Sequence, residues 1–207
     1  MPTFEYDRRY VEHGLELLES YLLADAAYWP VSIQPPPGEP AYPMLTLESV
    51  RLALLRLSAH RGLLAYEHQS TKLSLELETL HRHWTVAWEK KAHRALHARL
   101  TMWSNYLAEY NELPEGHADR YVYEVRLRVF IAILIQDCGI IDTQSQAHLL
   151  ELDDFLKAVL VPGNFIWDDD IHAGFPAHQY WYLYGNLPLV LPALSLGLGN
   201  LSREEPS

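Results

Sequence analysis

Between Gly62 and Pro114 the chain runs for 51 residues, Leu63 to Leu113, without a glycine or a proline. Both residues are expensive inside a helix, so their absence over such a length admits continuous helix where most sequences would be interrupted. Within the stretch an apolar or aromatic series runs Leu73, Leu77, Leu80, Trp84, Trp88, Ala92, Leu96, Leu100, Trp103, Leu107 and Tyr110. Its ten steps cover 37 residues, a mean spacing of 3.7. That lies near the helical period of about 3.6 and away from the 3.5 of a left-handed coiled coil. The spacing predicts one long helix, or two nearly continuous ones, spanning about 55 to 60 Å at about 1.5 Å per residue. Its tryptophans are expected to face a core.

The flanking elements read as shorter helices and connectors. Residues 4–28 place Tyr10, Leu17, Leu18, Tyr21 and Leu22 at helical spacing, which predicts a first helix ending at Trp29-Pro30. The segment 30–43 then carries six prolines and one glycine; it cannot be helical and reads as an extended, rigid connector. Thr46 is a candidate N-cap for a second helix with Val50, Leu54 and Leu57 on one face, widened by Leu52 and Leu55, and Gly62 is expected to end or bend it. NELPEGHAD, 111–119, reads as a turn.

Residues 120–135 are the hardest local reading. Tyr121, Tyr123, Val125, Leu127, Val129, Ile131, Ile133 and Ile135 alternate as in a strand, while Val122, Val125, Val129 and Ile133 fit a helix. About fifteen residues is long for a strand, and no run of similar length lies nearby to pair with it, so helix is the expectation. Gly139 ends that element. Asp142 or Thr143 caps a further helix carrying Leu149, Leu152, Phe155, Leu156 and Val159, which is expected to stop at Pro162-Gly163. Residues 186–207 read as an irregular tail that drapes over the bundle or packs on a second copy of the chain, with its last six residues disordered. There is no internal repeat. The fold expected is a single, mainly α domain over 1–207: an irregular helical bundle built around one long helix, with a Pro-rich connector and an irregular aromatic C-terminal segment.

Charge narrows the partners. Asp plus Glu number 27 against 16 Lys plus Arg, a formal charge of -11. That argues against nucleic acid and an anionic membrane, which attract clustered positive charge. A basic protein partner, self-association or a bound cation fits better, although solubility alone accounts for many acidic chains. Cys138 is the only cysteine, so an intramolecular disulfide and a thiolate zinc cluster are both excluded. It sits beside an apolar run and reads as a small buried hydrophobe. Glu5, Asp7, Arg8, Arg9 and Glu12 stand where a signal peptide needs an uncharged apolar core, so a cytoplasmic location is the default expectation.

The stretch WDDDIHAGFPAHQYWYLYG, 167–185, is the most distinctive in the chain. Asp168, Asp169, Asp170, His172 and His178 offer oxygen and imidazole ligands suited to Mg²⁺, Mn²⁺, Ca²⁺, Zn²⁺ or Fe²⁺. Their spacing matches no metal motif, and the residues an EF-hand loop needs are missing. Trp167, Phe175, Tyr180, Trp181, Tyr182 and Tyr184 are of the types that anchor protein interfaces, and equally of the types that fill cores. The blander reading has Asp168 or Asp169 capping a short turn and the rings closing the end of the bundle.

On the long helix, Glu89, His93 and His97 lie at i, i+4, i+8, and Glu78 to His81 forms one Glu-x-x-His unit. No second such unit and no HExxH exist, so these read as half-exposed helix residues. No GxSxG, P-loop or GxGxxG is present. Eleven histidines leave room for pH-dependent association. The functional expectation is a non-enzymatic protein-binding or interaction module using residues 167–184. The alternatives are a metal-dependent enzyme of the hydrolase type with its site around Asp168–His178, and an acidic inhibitor of a basic protein. The sequence names no cofactor.

Overall fold

Capping side chains fix where three of the helices begin, and tertiary contacts draw the chain off the end of the first. The structure is a computed structural model and describes residues 2–60 and 64–191. Thr3 opens α1 (Phe4–Leu23), its side chain accepting the Tyr6 amide. The helix stops at Leu23, five residues short of the predicted end. Residues 24–29 are drawn off the helical path by partners elsewhere. Trp29 and Leu45 exchange backbone hydrogen bonds of 3.1 and 2.8 Å, the Tyr21 hydroxyl donates to the Ala27 carbonyl, and the Lys91 ammonium donates to the Ala26 carbonyl. Thr46 caps α2 (Leu47–Ala59) in a reciprocal box with Ser49.

The long Gly- and Pro-free stretch forms two helices, α3 (Leu64–His83) and α4 (Thr85–Glu112), rather than one. The break is a single residue, Trp84, at φ -112 and ψ 29. Beside it the Thr85 hydroxyl donates to the carbonyls of His81 (3.1 Å) and Arg82 (3.2 Å), taking over acceptors that backbone amides would use in an unbroken helix. Inserted side-chain bonds of this kind bend helices. Trp88 and Trp103 are fully buried, and Trp84 only partly.

Residues 120–135 are helical. A short α5 (Pro114–His117) and a 3₁₀ turn over Ala118–Arg120 lead into α6 (Tyr121–Glu124), and α7 (Arg126–Cys138) follows after a one-residue offset at Val125. The α7 helix lies at the centre, packed on α4 and α2, with Val129, Ile131 and Leu134 fully enclosed. Asp142 caps α8 (Thr143–Val159), accepting the Ser145 amide at 2.8 Å. That helix ends at Val159, and Pro162-Gly163 fall inside a strand, β1 (Val161–Phe165), antiparallel to β2 (Tyr184–Asn186). The 167–184 segment is therefore a loop held at both ends, with a 3₁₀ turn (Asp169–Gly174) packed on α2. The fold is mainly α, and among the described residues no helix is long and apolar enough to cross a membrane. Gly62 and residues 192–207, where a helix end and a draped or disordered tail are expected, lie outside the described residues.

Four ion pairs tie helices together inside this packing. Arg56 grips Asp7 in two hydrogen bonds, joining α2 to α1; Arg99 donates twice to Glu48, joining α4 to α2. Arg51 reaches Asp137 on α7, and Arg128 holds Asp153 on α8 by two bonds of 2.7 Å. Each carboxylate is buried, so each pair replaces lost hydration with direct charge-assisted bonds.

Candidate functional site

The aromatic residues of 167–184 turn inward. Trp167, Phe175, Tyr180 and Tyr182 are buried; Trp181 and Tyr184 are half-buried. Trp167 donates its indole N–H to the Val122 carbonyl at 3.1 Å and meets Phe175 edge-on at 5.3 Å. The Tyr184 hydroxyl donates to the Phe175 carbonyl at 2.6 Å. Trp181–Leu183 form a 3₁₀ turn, and Tyr184 begins β2 directly after it. Asp168 caps the 3₁₀ turn by accepting the Asp170 amide at 3.1 Å. Asp168, Asp169, Asp170, His172 and His178 all remain exposed. Among the described residues no three His, Cys, Asp or Glu side chains assemble into a metal-binding group, so this segment's donors do not converge.

The other sequence candidates are likewise dispersed. Glu89 and His97 are exposed on α4 and His93 is half-buried beside them. His97 lies 3.8 Å from Asp142, and Glu78 pairs with Arg51 at 2.7 Å. Cys138 is buried, and burial pushes its thiol up to about 11.

A concave feature walled by five elements lies elsewhere, in a cleft of about 550 Å³. One wall is α1 with Tyr6 and Tyr10, and a second is the Pro-rich connector with Pro40, Ala41, Pro43 and Met44. The connector is fastened there by tyrosines: the Tyr6 hydroxyl donates to Ala41, Tyr10 to Met44, and Tyr42 back to the Tyr6 carbonyl, each at 3.3 Å. Tyr42 also lies against the Tyr6 ring at 4.4 Å. Helices α2, α4 and α7 contribute Arg56, Arg99 and Arg126, and Trp167 adds the one contact with the 167–184 segment. Four exposed large apolar side chains, Tyr28, Met44, Met102 and Tyr123, line the same cleft.

Its charges are unequal. Arg56 is neutralised by Asp7 and Arg99 by Glu48, one to one. Glu124, also on the wall, pairs with Arg120 at 2.7 Å. Arg126 has no carboxylate within 4.0 Å among the described residues and keeps its surface open to the cleft. The Arg99 and Arg126 guanidiniums lie 5.4 and 5.6 Å from the centre of the same Phe130 ring. Enclosure by the walls pulls the Arg126 pKa down, as do the charges of Arg56 and Arg99, against the nearby Glu124. A guanidinium remains ionised at neutral pH even so. Burial also drives Asp7 above the usual carboxylate range despite the Arg56 bonds, and pushes Tyr6 up to about 12. Arg126 is thus the guanidinium on the cleft wall that lacks a carboxylate partner among the described residues, set among aromatic and thioether surfaces, while Glu124 beside it is held by Arg120, which Glu109 also approaches at 3.9 Å.

Sequence reasoning missed this site because Arg56, Arg99 and Arg126 come from three separate helices. A signal did exist. Arg99 sits three residues after Leu96 and four before Trp103, a charge on an apolar stripe, and Glu48 stands likewise beside Leu47 and four before Leu52. Comparison with protein-family models, with curated proteins and with solved structures finds no match to this chain.

Proposed function

We propose that the chain is a non-enzymatic binding protein whose receiving feature is the cleft between α1, the Pro-rich connector, α2, α4 and α7. The observation that carries this reading is the gathering of four solvent-facing apolar side chains at one concavity of about 550 Å³. Clefts of about 300–1,000 Å³, apolar with a few placed polar groups, are where small molecules bind. Methionine suits such walls because its unbranched thioether adapts to varied shapes. The test uses N-phenyl-1-naphthylamine, a neutral dye that brightens in apolar surroundings. One saturable site per chain is expected. Met102→Trp, on the exposed side of α4, should fill the cleft and weaken the dye at least tenfold with an unchanged circular dichroism spectrum. Dye binding that ignores both Met102→Trp and Met44→Trp would remove the cleft from consideration.

A second reading keeps the 167–184 segment as a docking surface for a basic protein partner. It is supported by Asp168, Asp169 and Asp170 standing exposed on a turn pinned against α2. Replacing all three with Asn preserves the cap, because Asn accepts the same amide bond. Salt-sensitive retention on immobilised lysozyme that disappears in the triple variant would favour it; equal retention would exclude it.

A further inference from the structure

We infer that the cleft selects an organic monoanion: an aromatic or aliphatic body carrying a single carboxylate that seats on Arg126. This rests on the cleft being the binding site proposed above. Two of its guanidiniums are already matched, Arg56 by Asp7 and Arg99 by Glu48, both carboxylates fully buried. Arg126 alone on the wall has no carboxylate partner among the described residues, and its five donor positions form a fork that fits a carboxylate in two parallel bonds. Charge counting sets the valence. One unpaired cation neutralises one negative charge, whereas a dianion would bring a second charge into a walled site with nothing left to balance it. A cationic ligand would meet three guanidiniums. The body of the ligand has matching surface nearby, since Phe130 lies under Arg126 at 5.6 Å and Tyr28, Met44 and Met102 stand open around it.

The experiment displaces N-phenyl-1-naphthylamine with a matched series: 5-phenylpentanoate, 5-phenylpentanamide, 5-phenylpentylamine and 5-phenylpentyl phosphate. The carboxylate should compete at least tenfold better than the amide, as one charge-assisted contact of about 1.5–3 kcal/mol implies. The amine should be the poorest of the four. In Arg126→Gln, exposed at the helix start and therefore expected to fold, the carboxylate-to-amide ratio should fall to about one while the neutral dye binds as before. Arg126→Lys should restore part of the ratio. Equal competition by carboxylate and amide, or a ratio untouched by Arg126→Gln, overturns the inference while leaving the cleft as a binding site. Phosphate competing better than carboxylate overturns the monoanion assignment. Dye that fails to bind at one site defeats the underlying proposal instead, and this inference with it.

Discussion

Replacing Glu48 with Gln separates what the buried charges do for the fold from what they do for the cleft. Glu48 is fully buried, and its Oε1 accepts both Nε and Nη2 of Arg99 at 2.8 and 2.6 Å, while Oε2 has no partner. The substitution keeps shape and one acceptor but removes the charge. Breaking a buried pair costs about 3–5 kcal/mol. The retained amide oxygen recovers about 1 kcal/mol, as one hydrogen bond does. The new amide protons stand where Oε2 found no donor, and a buried donor without an acceptor costs about 1 kcal/mol or more. A net loss of about 3–5 kcal/mol follows, at or below the low end of the 5–15 kcal/mol that holds a typical domain together, so the variant is expected to fold. Urea denaturation followed by tryptophan fluorescence should show it as a lower midpoint at unchanged slope, with Tm reduced by about 6–20 °C. The same change leaves Arg99 unmatched and makes the cleft one unit more positive. Carboxylate affinity should therefore rise while stability falls. A loss under about 1 kcal/mol, or the same loss in an Arg99→Met background, would refute the pairing argument, since coupled groups cannot behave additively.

Three further outcomes test other parts of the structure. Gly185→Ala should cost about 3 kcal/mol and loosen the loop that holds Trp167. At φ 156 an added Cβ would stand 2.4 Å from the Val161 carbonyl oxygen, whereas Gly163→Ala, which meets the Gly185 Cα at 3.6 Å, should cost little on the same urea titration. Asp7 and Asp137 are both raised by burial, so the folded state holds their protons to higher pH than the unfolded chain. Their contribution is full below the usual 3.8 and is lost as pH rises through the folded values, so wild type should gain stability relative to Asp137→Asn as pH is lowered from 7 toward 4. Parallel pH profiles would contradict this. Cys138, buried and raised to about 11, should resist a thiol reagent at pH 8 until urea unfolds the chain; rapid labelling of the native protein would show the α7 end to be open.

Periodicity made the helices legible because each buries one stripe, and Thr46 and Asp142 marked two starts because capping is local chemistry. Ends and breaks were not. Helix α1 stops early because Lys91, Trp29 and Leu45 capture the backbone after Leu23, and those partners lie far away in sequence. The Trp84 break depends on a hydroxyl choosing carbonyl acceptors, which the residue type permits without requiring. In 167–184 the same rings would anchor an interface or fill a core, and the β1–β2 pairing, the Trp167–Val122 bond and packing of the 3₁₀ turn on α2 together turn them inward. Strand β2 is three residues long, too short for a pattern to announce it. The cleft needed five elements to assemble. What could be read locally was the oddity of Arg99 and Glu48 on apolar stripes, and that ion pair stands at the wall of the proposed cleft.

The contrast between the cleft and the rest of the molecule leads to a kinetic consequence. The whole chain carries -11, yet Arg126 on the cleft wall has no carboxylate partner among the described residues. An approaching monoanion meets the repulsive field of the whole before the attraction of Arg126, because the surplus acts over about a Debye length and the guanidinium works at contact. Added salt shortens that length, from about 30 Å at 0.01 M to about 8 Å at 0.15 M, and so removes the distant repulsion first. The partly enclosed contact with Arg126 is screened less. Association of 5-phenylpentanoate should therefore quicken a few-fold between 10 and 150 mM salt in stopped-flow displacement of the dye, with dissociation nearly constant. The neutral amide should show no trend in either rate. Association of the carboxylate that slows with salt would mean that the local guanidinium field already governs approach at long range, and that the acidic surface does not guard the cleft.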